Sequence, residues 1–192
     1  MRTRSIRTIL CILLLLFTGI ETVKPQGLPD PPPHWAEDSM LTWIMAQQYG
    51  YDKKMVATLG SFIGAENDDD VAVCLHLGKN TGLDPRDIMG LKRKGMEWHQ
   101  VIKTIGYDPA ELFTAAEISR TSRVPGIFRS AFDKFRHWEK DPLKEIQLTD
   151  DETRNMVNLN LVVKAFGVPS LNVMRKKNEG ADWIYMILSG GR

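Results

Sequence analysis

The chain has 192 residues, of which 43% are hydrophobic and 26% are charged, and its formal net charge at pH 7 is +1. This length is sufficient for one domain with a substantial hydrophobic core. Because the charges nearly balance, neither nucleic acid nor an anionic membrane is expected as the main partner.

The first 24 residues have the pattern of a secretory signal peptide. Three arginines precede an apolar run over residues 9–17, and polar residues return at Glu21. The run is shorter than the roughly 20 apolar residues that an ordinary membrane span needs. We therefore expect residues 1–24 to be a signal peptide and the protein to be secreted or periplasmic. No Ala-x-Ala-like triplet follows the run, so an uncleaved N-terminal membrane anchor is the alternative.

Residues 25–33 are rich in proline, which excludes the interior of a helix and predicts an extended linker. The remaining residues, 34–192, form a single predicted domain. Residues 1–26 hold four basic residues and one acidic residue, which leaves 21 basic and 23 acidic residues and a formal charge of −2. Cys74 is the only cysteine of this domain, so the core must stabilise the fold without an intramolecular disulfide.

Apolar residues recur with helical periodicity through most of the domain. The clearest stripes lie at residues 55–63, 98–105, 128–138 and 156–166. Capping signals agree, because Asp84 precedes Pro85 and Thr149 lies three residues before Glu152. We predict an all-α fold, a helical bundle or an orthogonal helical array of about seven to nine helices, each of roughly 8–14 residues.

An internal repeat is the most informative feature of the sequence. Residues 71–106 align without a gap to residues 156–191, and 8 of the 36 positions are identical. The identical pairs are Lys79/Lys164, Gly82/Gly167, Met89/Met174, Lys92/Lys177, Gly95/Gly180, Trp98/Trp183, Ile102/Ile187 and Gly106/Gly191. We expect both copies to form related three-helix units, packed around the helices of residues 110–139, with both tryptophans in the core.

The phrase over residues 93–106, R-x-G-x-x-W-x-x-V-I-x-x-I-G, resembles a form that recurs in uncharacterised exported bacterial proteins, R-x-x-G-x-x-W-x-x-I-x-x-x-x-G, and more loosely in helix-turn-helix domains. The resemblance implies a tight glycine turn followed by a helix that begins at tryptophan. It implies no activity. The second copy departs from the form, because Asn178 takes the position of Arg93 and Gly190 that of Ile105.

Basic residues cluster in both copies, as they would in a helix that binds nucleic acid. They are Arg86, Lys92, Arg93, Lys94 and Lys103 in the first copy and Arg175, Lys176 and Lys177 in the second. Export and a formal charge of −2 both argue against nucleic acid as the partner. We therefore expect these residues to form solvated helix surfaces.

Metal ligands and catalytic groups follow no known motif. The acidic run over residues 66–70 lacks the central glycine and the final glutamate of a calcium-binding loop, and it suits a helix N-terminus better. The histidines lack metal-ligand spacing, so no metal or cofactor is predicted. Cys74 lies in an apolar helix and is expected to be buried and inert. His137 and Glu139 flank Trp138, but neighbouring residues of a helix point in different directions, so no catalytic residue can be named.

By elimination, the sequence favours a non-enzymatic interaction or structural module with a protein or envelope partner. Trp35, Trp43 and Tyr49 are either contact residues or core residues. The alternative is a hydrolase-like envelope enzyme with its site between the two units. An exposed apolar groove would favour the binding module, and a large polar pocket would favour the enzyme. The residues that such a pocket would gather are Glu66, His76, His99 or His137.

Overall fold

The computed structural model describes residues 37–63, 68–113, 124–143 and 145–190. Within these ranges the protein is all-α, as predicted, with nine α-helices, one 3-10 helix and no strand. The predicted signal peptide and linker, together with His34, Trp35 and Glu66, lie outside the described residues.

The α-helices are between 6 and 17 residues long, a wider range than predicted. In chain order they are α1 Glu37–Tyr49, α2 Lys53–Ile63, α3 Asp68–Thr81, α4 Pro85–Arg93, α5 Trp98–Thr104, α6 Gly126–Lys140, α7 Asp150–Phe166, α8 Ser170–Asn178 and α9 Trp183–Leu188. A 3-10 helix, Pro109–Phe113, lies between α5 and α6.

The predicted capping residues lie at the ends of these helices. The Asp84 side chain accepts a hydrogen bond from the backbone N–H of Arg86 at the start of α4. Thr149 and Glu152 form a reciprocal capping box at the start of α7. Gly82 follows α3 with a φ of 74°, and Gly167 follows α7 with a φ of 63°. Residues with a Cβ rarely adopt this left-handed conformation, so glycine ends both helices cleanly.

Helices α3 and α7 form the centre of the core and share the most extensive contact in the structure. Residues 71–78 of α3 are all buried, so this helix has no solvated face over two turns. The expectation that the units pack around the helices of residues 110–139 is therefore wrong. Helix α6 buries only one stripe, which includes Phe128 and Phe132, and packs against α7 and α8 from the outside. An amphipathic helix covers a core, whereas a helix that is apolar all round occupies its centre.

Gly78 allows α3 to approach its neighbours closely. A Cβ atom at this position would lie 2.8 Å from Pro85 Cγ, 2.8 Å from Tyr51 Oη and 3.0 Å from the carbonyl oxygen of Leu83. The change Gly78→Ala should therefore lower the free energy of unfolding by about 1–3 kcal/mol, because the backbone of the turn after α3 must move. Urea unfolding followed by circular dichroism measures this loss.

Gly60 provides the matched control, since it also lies within a helix, but a Cβ added there would have no atom of the described residues within 4 Å. The change Gly60→Ala should raise the free energy of unfolding by up to about 1 kcal/mol through helix propensity alone. Equal effects of the two changes would show that close packing at Gly78 does not matter.

Candidate functional site

Trp98 and Trp183 are both buried in the core and make the same two kinds of contact. Trp98 and Trp183 are 0% and 2% exposed. The indole N–H of Trp98 donates to Asp70 Oδ1 at 2.8 Å, and that of Trp183 donates to Asn155 Oδ1 at 3.0 Å. Each ring also has a lysine Nζ 5.2 Å from its centroid, supplied by Lys92 and Lys177 in turn. The two rings are therefore structural anchors rather than exposed contact residues.

Asp70 links Trp98 to helix α7 at the centre of the fold. Arg154 of α7 donates to both carboxylate oxygens of Asp70, from Nε at 2.6 Å and from Nη2 at 3.2 Å. Asp150 accepts from the backbone N–H of Trp98 at 2.6 Å and pairs with Lys92. Asp70, in the acidic first turn of α3, thus links α3 to α5 and α7. No cluster of three possible metal ligands occurs among the described residues.

The basic residues of the two sequence clusters do not form one open surface. Lys92 is paired with Asp150, Lys103 donates to Glu145 at 2.9 Å, and Arg86 is paired with Asp84. Lys177 lies over an indole ring. These pairs leave fewer charges for phosphate contacts than the sequence clusters imply.

Cys74 is fully buried in the centre of α3, as predicted. Burial raises the pKa of its thiol well above the ordinary value, because the thiolate would lose its hydration. Because the protonated thiol is a poor nucleophile, the role of Cys74 is to pack in the core.

The described histidines lie apart from one another and do not form one site. His137 is exposed on α6, and its Nδ1 lies 2.6 Å from the carbonyl oxygen of Asp133. His99 lines a large surface cleft, whereas His76 is buried in a separate polar cavity. The pocket that would have favoured an enzyme is therefore not assembled from these residues.

The polar cavity has a volume of about 60 Å³ and lies between α3 and α7, beneath the end of α1. Tyr49, His76 and Asn160 contribute buried side chains to it, and Lys79 and Lys164 contribute the charges. Two of the aromatic candidates named from the sequence, Trp43 and Tyr49, lie in α1. Both are buried core residues. Burial and the two lysines together lower the pKa of His76 to about 4, so its ring is neutral at pH 7.

A cleft of about 930 Å³ lies on the surface between α5 and the segment that follows α6. Its apolar lining consists of Met96, Ile102, Tyr107, Trp138, Leu143 and Ile146. Its polar lining includes His99, Gln100, Lys103, Asp108, Glu145 and Gln147. A volume in this range with a mainly apolar floor and several polar groups is typical of ligand-binding sites.

An aromatic stack gives one wall of the cleft a rigid support. Trp138 stacks on Phe135 with centroids 5.6 Å apart, and Phe135 stacks on Phe113 at 4.4 Å. Phe113 belongs to the core. Leu143, at the edge of the same cleft, is 95% exposed. Leu143 has little contact with the protein and lines the same cleft as the Trp138 ring. This surface therefore suits an apolar partner.

The segment of residues 145–149 follows, and its first three residues line the same cleft. Its side chains alternate between exposed and buried, with Ile146 and Leu148 in the core and Glu145 and Gln147 outside. Such alternation is typical of a strand. Within the described ranges no backbone hydrogen bond joins residues 145–148 to another backbone group. In its alternation and its lack of backbone partners, the segment resembles the unpaired edge of a sheet.

No motif in the sequence indicated this cleft. The alternation over residues 145–149 was visible, but it covers too few residues to stand out from the loops of a helical protein. Of the named candidates, the cleft includes His99, Lys103 and Trp138.

No protein-family model, curated protein or solved structure matches the chain. No helix in the described part of the chain is long and apolar enough to cross a membrane.

Proposed function

We propose that the protein is a non-enzymatic binding module that holds an extended segment of a partner polypeptide in the cleft lined by α5, residues 142–143 and residues 145–147. One observation carries the proposal: a cleft of about 930 Å³ lies beside residues 145–148, whose backbone has no backbone partner within the described ranges.

The apolar lining suits the side chains of the partner. Leu143 and Trp138 would contact the partner's apolar side chains from one side of the cleft, and Met96 lies among the other lining residues. Covering the exposed surface of Leu143 alone would contribute roughly 1.5–3 kcal/mol to binding. The Lys103–Glu145 pair provides both charge signs at the rim, so the site has no preference for a strongly charged partner.

The unpaired backbone suits the main chain of the partner. An extended peptide can add to a free strand edge, where main-chain hydrogen bonds provide affinity and alternate side chains provide specificity. Because Ile146 and Leu148 hold residues 145–149 against the core, this edge is ordered before the partner arrives. The predicted partner is therefore a polypeptide whose apolar residues alternate with polar ones.

The enzyme alternative has less support. His76 is neutral, and its Nε2 lies 3.0 Å from Tyr107 Oη rather than from a carboxylate. Cys74 is buried, and a ring nitrogen of His99 lies 3.2 Å from the exposed carboxylate of Glu97.

We also propose that the two aligned segments are copies of one three-helix unit. Helices α4 and α8 begin and end at the same aligned positions, because adding 85 to residues 85–93 yields 170–178. Asp70 and Asn155, which accept the two indole hydrogen bonds, are also 85 positions apart. The proposed signal peptide at residues 1–24 would place the module outside the cytoplasm, in a secreted or periplasmic location.

Selection from a phage-displayed library of random peptides tests the binding proposal without a known partner. We expect selected peptides to have apolar residues at every second position, the period of a strand. For one selected peptide, Leu143→Asp should raise the Kd at least about tenfold, the equivalent of 1.4 kcal/mol. The matched control is Leu83→Asp, which changes a 41% exposed leucine outside the cleft lining and should leave the Kd unchanged.

Methylation of the peptide's amide nitrogens tests the backbone pairing. Only every second residue of an edge strand donates to its neighbour. Methylating one alternate set should therefore abolish binding, and methylating the other set should not. Selected peptides with helical spacing, or equal Kd values for Leu143→Asp and Leu83→Asp, would contradict the proposal.

A further inference from the structure

The polar cavity between α3 and α7 has no role in the proposed peptide site, and it is built from matched positions of the two helices. His76 and Leu161 are 85 positions apart, as are Lys79 and Lys164, and all four residues line it. The cavity therefore lies where the two central helices meet, with one lysine from each.

Two buried oxygen atoms at this cavity have no hydrogen-bond partner in the described part of the protein. They are Tyr49 Oη and Asn160 Oδ1, on residues that are 6% and 1% exposed. The amide nitrogen of Asn160 donates to the carbonyl oxygen of Leu112 at 2.8 Å, which fixes the orientation of the amide group. Asn160 Oδ1 therefore requires a donor, whereas Tyr49 Oη can itself donate. Buried polar groups in native proteins are nearly always paired with protein, ordered water or a ligand.

The charge around the cavity has one sign. Lys79 and Lys164 are the charged residues of its lining, and no acidic residue of the described ranges belongs to the lining. Lys79 Nζ donates to the backbone carbonyl of Gln48 at 2.8 Å, which directs its ammonium group across the end of α1. His76 is also in the lining and is neutral at pH 7. Two cations without a carboxylate beside a polar cavity favour an anion.

We propose that this cavity binds a small oxyanion that still carries a proton, of the hydrogen phosphate or bicarbonate type. The anion's oxygens accept hydrogen bonds from Tyr49 Oη and from the ammonium group of Lys164. Its own hydroxyl group donates to Asn160 Oδ1, which no fully deprotonated anion can do. A volume of about 60 Å³ is several times the roughly 10–15 Å³ that one water needs in the same measure, so the site has room for such an ion. This inference does not depend on the peptide-binding proposal.

Isothermal titration of the purified protein with sodium phosphate, sodium bicarbonate and sodium sulfate, at matched ionic strength, tests the site. Phosphate or bicarbonate should bind saturably, and the tighter of the two identifies which oxyanion the cavity fits. Sulfate carries no proton at neutral pH, so it should bind at least about tenfold more weakly, the consequence of leaving Asn160 Oδ1 unpaired.

Three variants locate the binding. Tyr49→Phe keeps the buried ring, and Lys164→Met changes an exposed side chain, so both should fold. Each should weaken binding of the preferred oxyanion about tenfold or more. Lys94→Met, which removes an exposed lysine outside the cavity lining, should leave binding unchanged. Circular dichroism confirms that all three variants are folded.

The position of His76 provides an independent signal. A bound anion next to the imidazole should raise the pKa of His76 from its depressed value, as followed by NMR of the ring protons. Equal affinity for sulfate and phosphate, or unchanged binding in Tyr49→Phe and Lys164→Met, would overturn the proposal and leave ordered water as the occupant.

Discussion

Replacing Trp98 with alanine should lower the free energy of unfolding by about 3–5 kcal/mol. The ring is 0% exposed, so its removal leaves a cavity among the helices that surround it. The change also removes the donor to Asp70 Oδ1 and the aromatic face beneath Lys92 Nζ. Urea or thermal unfolding measures the loss, with the two-state character checked by two optical probes.

Tyr185→Ala is the matched control for Trp98→Ala. Tyr185 is also aromatic and lies in α9, the helix that begins at Trp183, but it is 64% exposed. Its replacement should change the free energy of unfolding by less than about 0.5 kcal/mol. A loss below about 1 kcal/mol for Trp98→Ala would show that the ring does not anchor the core.

Replacing Asp70 with alanine should cost about 3 kcal/mol or more. The residue is 4% exposed, and the change leaves the Arg154 guanidinium without its closest carboxylate and the Trp98 indole N–H without its acceptor. Removing one member of a largely buried pair is costly because the remaining charge has already lost its hydration. Chemical unfolding of the variant measures the effect.

Asp151→Ala separates burial from charge, because Asp151 contacts the same arginine at 3.1 Å but its side chain is 87% exposed. This change should cost less than about 1 kcal/mol, the range of surface pairs and helix-terminus charges. The double change Asp70→Ala with Arg154→Met should recover part of the loss, since it removes the unpaired charge. Similar costs for Asp70→Ala and Asp151→Ala would contradict the assignment of Asp70 as a buried cross-link.

The helical fold could be predicted because the residues that determine it are neighbours in the sequence. The stripe that begins at Trp98 and the capping box of Thr149 and Glu152 are local patterns. The arrangement of the helices depends on contacts between distant residues, and there the prediction was wrong about the centre. Helix α7 carries Asn158 and Asn160 within its buried surface, so its polar residues concealed its central position.

The candidate sites could not be predicted either, because they too depend on contacts between residues that are distant in the sequence. Trp138 belongs to α6 and Met96 to the segment before α5, and only the folded chain places them on one cleft. Tyr49, His76 and Asn160 come from three helices and have no shared spacing along the chain. Each of them has an ordinary structural role when considered alone, and the unpartnered oxygens are visible only in three dimensions.

The pairing of α3 with α7 has a consequence for biosynthesis. Residues 82–149 separate the two helices, so the apolar surface of α3 leaves the ribosome long before the helix that covers it. Until then the nascent polypeptide carries a helix with no solvated face, which is a target for chaperones and for aggregation. The parts of the chain that contain α3 and α7 therefore become stable only together.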